Sequence, residues 1–123
     1  MRIVFILASI IGLAHVILAS PVLAEPPYGT WLRPSTGGKI EAFQCGGGFG
    51  LKVVASKDRA KVGKVIMCGA RSTGGNNFGG SIKNLEDGNT YTGKVEIIGN
   101  SMNLSGCGFG GLICKTETWR RTK

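Results

Sequence analysis

The chain has 123 residues, 21 of them glycine, and carries 15 Lys and Arg against 7 Asp and Glu, a formal net charge of +8. This length predicts one small domain with a modest core, and the positive charge favours anionic partners. The glycines have no period of three, which excludes a collagen-like chain.

Residues 1–24 are predicted to be a secretory signal peptide. A basic residue precedes an apolar run over residues 3–19, and a Val-x-Ala cleavage site ends at Ala24. A transmembrane anchor is the alternative, since the run approaches the ~18–20 residues that span a bilayer. The cleavage site and a preceding proline favour the signal peptide. We therefore expect residues 25–123 to form a single domain that is periplasmic or secreted and does not span a membrane once processed.

The only histidine, His15, lies in this predicted signal peptide. A mature chain without histidine has no Ser-His-Asp or Cys-His nucleophile system and no histidine metal ligand. The acidic residues are scattered along the chain, so we favour a solvated surface over a glycosidase-like pair. Besides Glu25 at the predicted cleavage site, they are Glu41, Asp58, Glu86, Asp87, Glu96 and Glu117. The sequence thus predicts a protein that is not an enzyme and holds no cofactor or metal.

The remaining chain predicts about eight short strands with turn signals every ~8–12 residues. Asp87-Gly88 is a strong hairpin signal, because glycine adopts positive φ without steric cost. Residues 56–63 are expected to form a loop with at most one helical turn, and residues 71–77 a second loop. This pattern is typical of an all-β sandwich or barrel, and a closed antiparallel meander barrel is favoured because closure removes unpaired edges. The predicted strands cover residues 28–32, 39–45, 51–55, 64–69, 81–83, 90–97, 101–107 and 112–121.

The four cysteines, Cys45, Cys68, Cys107 and Cys114, form an even set. Two disulfides are the default in a small exported domain, and the sequence leaves three pairings open. Cys107–Cys114 is favoured because a hairpin between them would bring them opposite each other, which leaves Cys45–Cys68. A four-thiolate zinc site is disfavoured, since no Cys-x-x-Cys spacing is present.

The two tryptophans, Trp31 and Trp119, lie near opposite ends of the predicted domain. In a meander barrel the first and last strands are neighbours, so Arg120 or Arg121 is expected to lie over Trp31. We favour a role in barrel closure over ligand binding for these residues.

Two basic clusters are candidates for contact with an anionic partner, although each is also typical of a solvated segment. One cluster is Lys57, Arg59, Lys61 and Lys64; the other is Arg120, Arg121 and Lys123. Nucleic acid is the weakest candidate, because few aromatic residues interleave with the basic ones and the expected compartment is wrong.

Five blocks of sequence resemble the DUF2147 family of small exported bacterial proteins of unknown function. They are residues 29–31, 80–82, 86–93, 104–107 and 118–121. The resemblance implies a small lipocalin-like (calycin-type) barrel, and the Gly-x-Trp start and late arginine are similar to the lipocalin signature that closes one end. The chain departs from the family pattern at Phe78, where a tryptophan is usual, and after Asp58, where an Asp-Asn-Pro loop is common. The family supplies no catalytic residues to transfer.

By analogy with this fold, we expect a binding protein that holds a small apolar or amphipathic ligand in the barrel mouth. The candidate ligand-binding residues are Trp31, Phe43, Phe49, Phe78 and Tyr91. The alternative is a protein–protein interaction or inhibitor module of the cell envelope that acts through its basic loops. The sequence makes no prediction of oligomeric state.

Overall fold

The computed structural model describes residues 26–122, so the predicted signal peptide lies outside the described residues. Eight antiparallel strands form a closed barrel in which each strand pairs with the next and β1 pairs with β8. The prediction of a closed all-β meander barrel is therefore confirmed. The strands are β1 (Gly29–Arg33), β2 (Gly38–Cys45), β3 (Gly48–Ala55), β4 (Val65–Gly74), β5 (Asn77–Lys83), β6 (Thr90–Ile98), β7 (Ser101–Gly108) and β8 (Ile113–Arg121).

Strict alternation along the strands places the core inside the barrel. In β6, Gly93, Val95 and Ile97 are buried while Lys94 and Glu96 are exposed, because successive side chains point to opposite faces of a sheet. β2 and most of β7 follow the same rule, whereas irregular pairing between β3 and β4 interrupts it there. The largest fully buried side chains are Trp31, Phe49, Leu51, Met67, Val95 and Met102.

The up-and-down order of the strands gives the barrel two different ends. One end, the mouth, is formed by the connections at residues 34–37, 56–64, 84–89 and 109–112. The opposite, closed end carries the three short turns and the first and last described residues. The connections at the mouth are longer, so this is the end where loops surround an opening.

Trp31 and Arg121 lie together at the closed end, where β1 meets β8. The Trp31 ring is fully buried, and the Arg121 guanidinium carbon lies 4.5 Å from its centroid. Arg121 also donates to the carbonyls of Tyr28 at 3.0 Å and Gly99 at 3.2 Å. Arg120, the other candidate for this position, is exposed. The contact therefore joins the seam between β1 and β8 to the turn at residues 99–100.

Two disulfides link neighbouring parts of the barrel, which confirms the expectation of two bridges. Cys45 pairs with Cys68, and Cys107 pairs with Cys114. These are the pairs that the sequence favours. Gly50 lies beneath the first bridge, and a Cβ there would approach the Cys45 Cβ to 2.5 Å. Only glycine fits this close approach of β2, β3 and β4.

The expected loop over residues 71–77 is wrong in its length. Strand β4 runs on to Gly74, where Arg71 and Ser72 pair with Gly79 and Phe78. Main-chain pairing outweighs the Gly- and Asn-rich composition, and only residues 75 and 76 turn the chain.

The loop at 56–64 contains one short 3₁₀ helix, Arg59–Lys61, and the Asp58 carboxylate caps it by accepting from the Ala60 N–H at 3.0 Å. Within residues 26–122, no helix is long and apolar enough to cross a membrane.

Candidate functional site

A cavity of about 360 Å³ opens at the mouth of the barrel. Its inner walls are apolar and come from five different strands, because inward positions of every strand meet at the barrel axis. The main apolar lining residues are Ile40, Val53, Ile82, Leu104 and Trp119. The arrangement gives an apolar floor beneath a loop-lined opening.

Two glycines of β7 keep this cavity open. Gly106 and Gly108 line it on the inward face of the strand, opposite Tyr91 of β6. A Cβ at Gly106 would lie 3.7 Å from the Tyr91 Cβ, at ordinary van der Waals distance. A larger residue at position 106 would therefore be tolerated at its Cβ, and its side chain would extend into the cavity. Because glycine has no side chain, that space stays open.

An ion-pair network spans the cavity wall at the mouth. The Arg33 guanidinium binds Glu117 through two parallel bonds, from Nε to Oε1 at 2.7 Å and from Nη2 to Oε2 at 2.6 Å. Its Nη1 also donates to Glu86 Oε2 at 3.2 Å, and Lys61 Nζ donates to the same oxygen at 3.3 Å. Two cations and two carboxylates thus join four parts of the rim: β1, β8 and the connections at 56–64 and 84–89.

The network keeps both carboxylates charged. The hydrogen bond from Arg33 lowers the pKa of Glu117 to about 2 against the opposing effect of burial, and a bond from the Trp119 indole at 3.0 Å adds to it. Burial alone would raise the pKa of Glu86, but the bonds and charges of Arg33 and Lys61 lower it overall. The hydrogen bonds and charges of Glu117 and Glu86 in turn raise the pKa of Arg33. A general acid needs a raised pKa, so these carboxylates are poorly suited to donate a proton.

Lys115 is the inward-facing cation of the cavity that this network does not use. It precedes Glu117 by two residues on β8 and therefore lies on the same inward face. Among the described residues, no carboxylate forms an ion pair with it. Lys115 therefore places an unpaired positive charge beside the apolar walls, and Lys83, which also lines the cavity without an ion pair to a described carboxylate, adds a second.

The five aromatic residues predicted to bind ligand lie in three different places. Tyr91 lines the mouth cavity, and its hydroxyl donates to Asp87, which lowers the pKa of Asp87 and raises that of Tyr91. Trp31 is buried at the closed end. Phe43 alternates with the buried Ala42 and lies on the outer face of β2.

Phe49 and Phe78 stack on each other with ring centroids 4.3 Å apart. With Tyr28, which stacks on Phe49, they line a second hollow of about 510 Å³ near the turn at residues 46–47. The structure thus brings Phe49 and Phe78 together but separates them from Tyr91.

Four charged residues of the cavity are absent from the sequence-based candidates: Arg33, Lys83, Lys115 and Glu117. The sequence predicts Glu117 on the solvated surface. The alternation of inward and outward residues along a strand could have identified Arg33 and Glu117 as inward-facing. Arg33 follows the buried Trp31 by two residues, and Glu117 precedes the buried Trp119 by two.

Within residues 26–122, no group of three or more His, Cys, Asp or Glu side chains is placed to hold a metal.

The family described as "Uncharacterized protein conserved in bacteria (DUF2147)" matches residues 29–121, a range that contains all eight strands. The chain belongs to the DUF2147 family. No curated protein matches it. The resemblance noted in the sequence is thereby confirmed.

Among solved structures, this DUF2147 chain is similar to protein HP1028 from Helicobacter pylori, which is described as belonging to the lipocalin family. The TM-score is 0.67 at 18% sequence identity, over 81% of this chain and 85% of the other. At this identity the likeness concerns the fold. The DUF2147 chain is therefore a lipocalin-like barrel.

Proposed function

We propose that this DUF2147 protein is a non-catalytic, exported binding protein that holds a small amphipathic ligand in its mouth cavity. The observation that carries the proposal is the cavity of about 360 Å³ with apolar walls below and charged side chains at the opening. Ligand sites are usually preformed hollows of this kind, with a few polar groups that fix orientation.

The cavity volume limits the size of the ligand. At about 30 Å³ for each small group, the volume that water occupies in the liquid, the cavity holds about a dozen non-hydrogen atoms. A single short chain or a small ring system fits, whereas a two-chain lipid does not. The walls of Ile40, Ile82 and Leu104 suit an apolar body.

The charges at the opening favour a ligand with an anionic end. Arg33, Lys61, Glu86 and Glu117 neutralise one another in pairs. Two cations, Lys83 and Lys115, then outnumber the one remaining carboxylate of the lining, Asp87, and Lys115 is the one that faces inward to meet a carboxylate or similar group. A cationic end would instead approach Lys115 without compensation. We therefore propose that the ligand places its apolar body on the floor and its acidic group beside Lys115.

Two features support an exported, oxidising compartment. Both disulfides join cysteines that would be reduced in a typical cytosol, and the predicted signal peptide at residues 1–24 provides a route out of the cell. The domain that carries the site is proposed to be residues 25–123.

Native mass spectrometry of protein purified from the host envelope without reductant tests the proposal. We expect extra mass on the wild type that disappears on denaturation. Gly106→Leu places a side chain in the cavity and should remove that mass, whereas Gly79→Leu makes the same change on the outer face of β5 and should keep it. The same extra mass on Gly106→Leu, or none on any variant, would overturn the proposal.

A further inference from the structure

An exposed apolar tip projects from the mouth between β7 and β8. Phe109, Leu112 and Ile113 are 80%, 87% and 58% exposed, although they lie within five consecutive residues. Single exposed apolar residues are normal on a protein surface, but a cluster at one loop tip marks an interaction site. We propose that this tip, which we call the apolar tip, docks the mouth of the barrel onto an anionic lipid bilayer.

The apolar tip is tied at its base, and two of its residues, Phe109 and Ile113, also border the cavity opening. The Cys107–Cys114 disulfide closes the base of the loop and fixes the ends of both strands. Phe109 adopts φ +53, a conformation that bulky residues rarely take. A tip tied at its base loses little conformational freedom on insertion, so its apolar area is available for contact with lipid.

Basic side chains surround the same end of the barrel. Those that form no ion pair with any described carboxylate include Lys57, Arg59, Lys64, Lys83 and Lys115. Of the acidic groups at this end, Glu86 and Glu117 are paired with Arg33 and Lys61. Asp58 and Asp87 bind neutral donors and keep their charge, but they are fewer than the unpaired cations. The mouth therefore presents uncompensated positive charge beside apolar side chains.

This combination fits a bilayer surface better than a protein. A stable protein interface buries about 800 Å² on each partner, whereas three side chains at a loop tip form a much smaller patch. At a bilayer, aromatic and aliphatic groups enter the headgroup boundary while lysines reach anionic phosphates. Docking in this orientation also turns the cavity opening toward the lipid, although the docking itself needs no bound ligand.

Vesicle sedimentation tests the proposal. The chain is used as residues 25–123, because the apolar N-terminal run would itself bind lipid and all eight strands and both disulfides lie in that range. We expect binding to vesicles of phosphatidylcholine with phosphatidylglycerol, weakening as salt rises, and little binding to phosphatidylcholine alone. Phe109→Ser with Leu112→Ser should lower the partition coefficient about tenfold or more.

Matched control variants exist for both the apolar and the electrostatic contribution to vesicle binding. Ile98 is 71% exposed at the closed end, so Ile98→Ser removes an exposed apolar side chain away from the mouth and should not change binding. Lys57→Glu with Lys64→Glu should lower binding to the anionic vesicles about tenfold or more. Arg71→Glu with Lys94→Glu reverses two exposed charges away from the mouth and should have a much smaller effect.

Three results would overturn the proposal: no binding to anionic vesicles, unchanged binding by the Phe109 and Leu112 double variant, or self-association that this double variant abolishes. The last result, read by analytical ultracentrifugation, would make a second copy the occupant of the apolar tip. Gly106→Leu separates the two proposals, because it keeps the apolar tip and should bind vesicles as wild type does even when its cavity is filled.

Discussion

Arg33 and Glu117 lie 84 positions apart in the sequence and form a two-bonded ion pair inside the mouth of the barrel. Arg33 ends β1 and Glu117 lies on β8, so the pair crosses the seam that closes the barrel. It also holds Glu86 of the 84–89 connection through Arg33. One arginine thus connects the closure of the fold to the wall of the cavity.

This pair predicts a specific acid sensitivity. The pKa of Glu117 is about 2 in the fold against an ordinary value of 4.5, so the ionised carboxylate stabilises the fold above pH 4.5 and that contribution is lost as the pH falls toward 2. Glu117→Gln should lower the free energy of unfolding at pH 7 by about 1–2 kcal/mol, since the group is only partly buried and solvent screens the pair. It should also flatten the loss of stability between pH 4.5 and 2.

Urea unfolding of both proteins across that pH range measures the effect. Glu96→Gln removes an exposed carboxylate from the outer face of β6 and is the matched control. An unchanged acid profile in Glu117→Gln would show that the pair does not stabilise the fold.

The contact of Arg121 with Trp31 predicts that lysine cannot replace this arginine. Arg121 lies over the ring and donates to the carbonyls of Pro26, Tyr28 and Gly99 at 3.0–3.2 Å. A lysine ammonium keeps the charge but loses the planar fork that reaches these acceptors. Arg121→Lys should cost about 1–3 kcal/mol in denaturant unfolding. The exposed Arg120→Lys should stay within about 0.5 kcal/mol, and equal costs for the two variants would contradict this role.

The two disulfides are predicted to differ in their contribution to stability. Cys45 and Cys68 are 23 residues apart, whereas Cys107 and Cys114 are 7 apart. Because the longer loop loses more entropy in the unfolded chain, replacing the first pair by serine should cost about 3 kcal/mol and the second about 2 kcal/mol. Thermal unfolding of the two double variants tests the order. A larger cost for the Cys107 and Cys114 pair would mean that strain or native packing outweighs loop closure.

The uncompensated charge of Lys115 predicts the sign of the ligand. Lys115→Glu should weaken the binding of decanoate by about tenfold, which corresponds to about 1.4 kcal/mol, and should strengthen the binding of decyltrimethylammonium. Quenching or shift of the fluorescence of Trp119, which lines the cavity, reports both titrations. Lys94→Glu makes the same charge change outside the barrel. If both variants changed decanoate affinity equally, a general effect of net charge would replace the local one.

Alternation and turn chemistry predicted most of the barrel. In β6 and β7 the polar and apolar residues alternate so regularly that the strands and the Gly99-Asn100 turn are evident from sequence. The end of β4 was missed because its composition is that of a loop, and only pairing with β5 makes it a strand. Local sequence has no information on such long-range pairing.

The cavity was less predictable than the fold. Aromatic residues were natural candidates, but Phe49 and Phe78 pack together near the closed end and only Tyr91 lines the mouth cavity. The space itself comes from Gly106 and Gly108. Gly106 lies in the predicted strand 101–107 and Gly108 just after it, and neither position indicates a cavity from sequence. The partner of Arg33 depends on the register of β1 against β8, which becomes known only when the barrel is closed.

Isothermal titration with decanoate, which is of the size that the cavity holds, tests the central claim most directly. Wild type and Gly79→Leu should each bind one decanoate, and Gly106→Leu should bind none while retaining its β-sheet circular dichroism and both disulfides. Equal binding by Gly106→Leu and wild type would place the site elsewhere, and absence of binding by wild type would contradict a site for a small anionic amphiphile in the mouth.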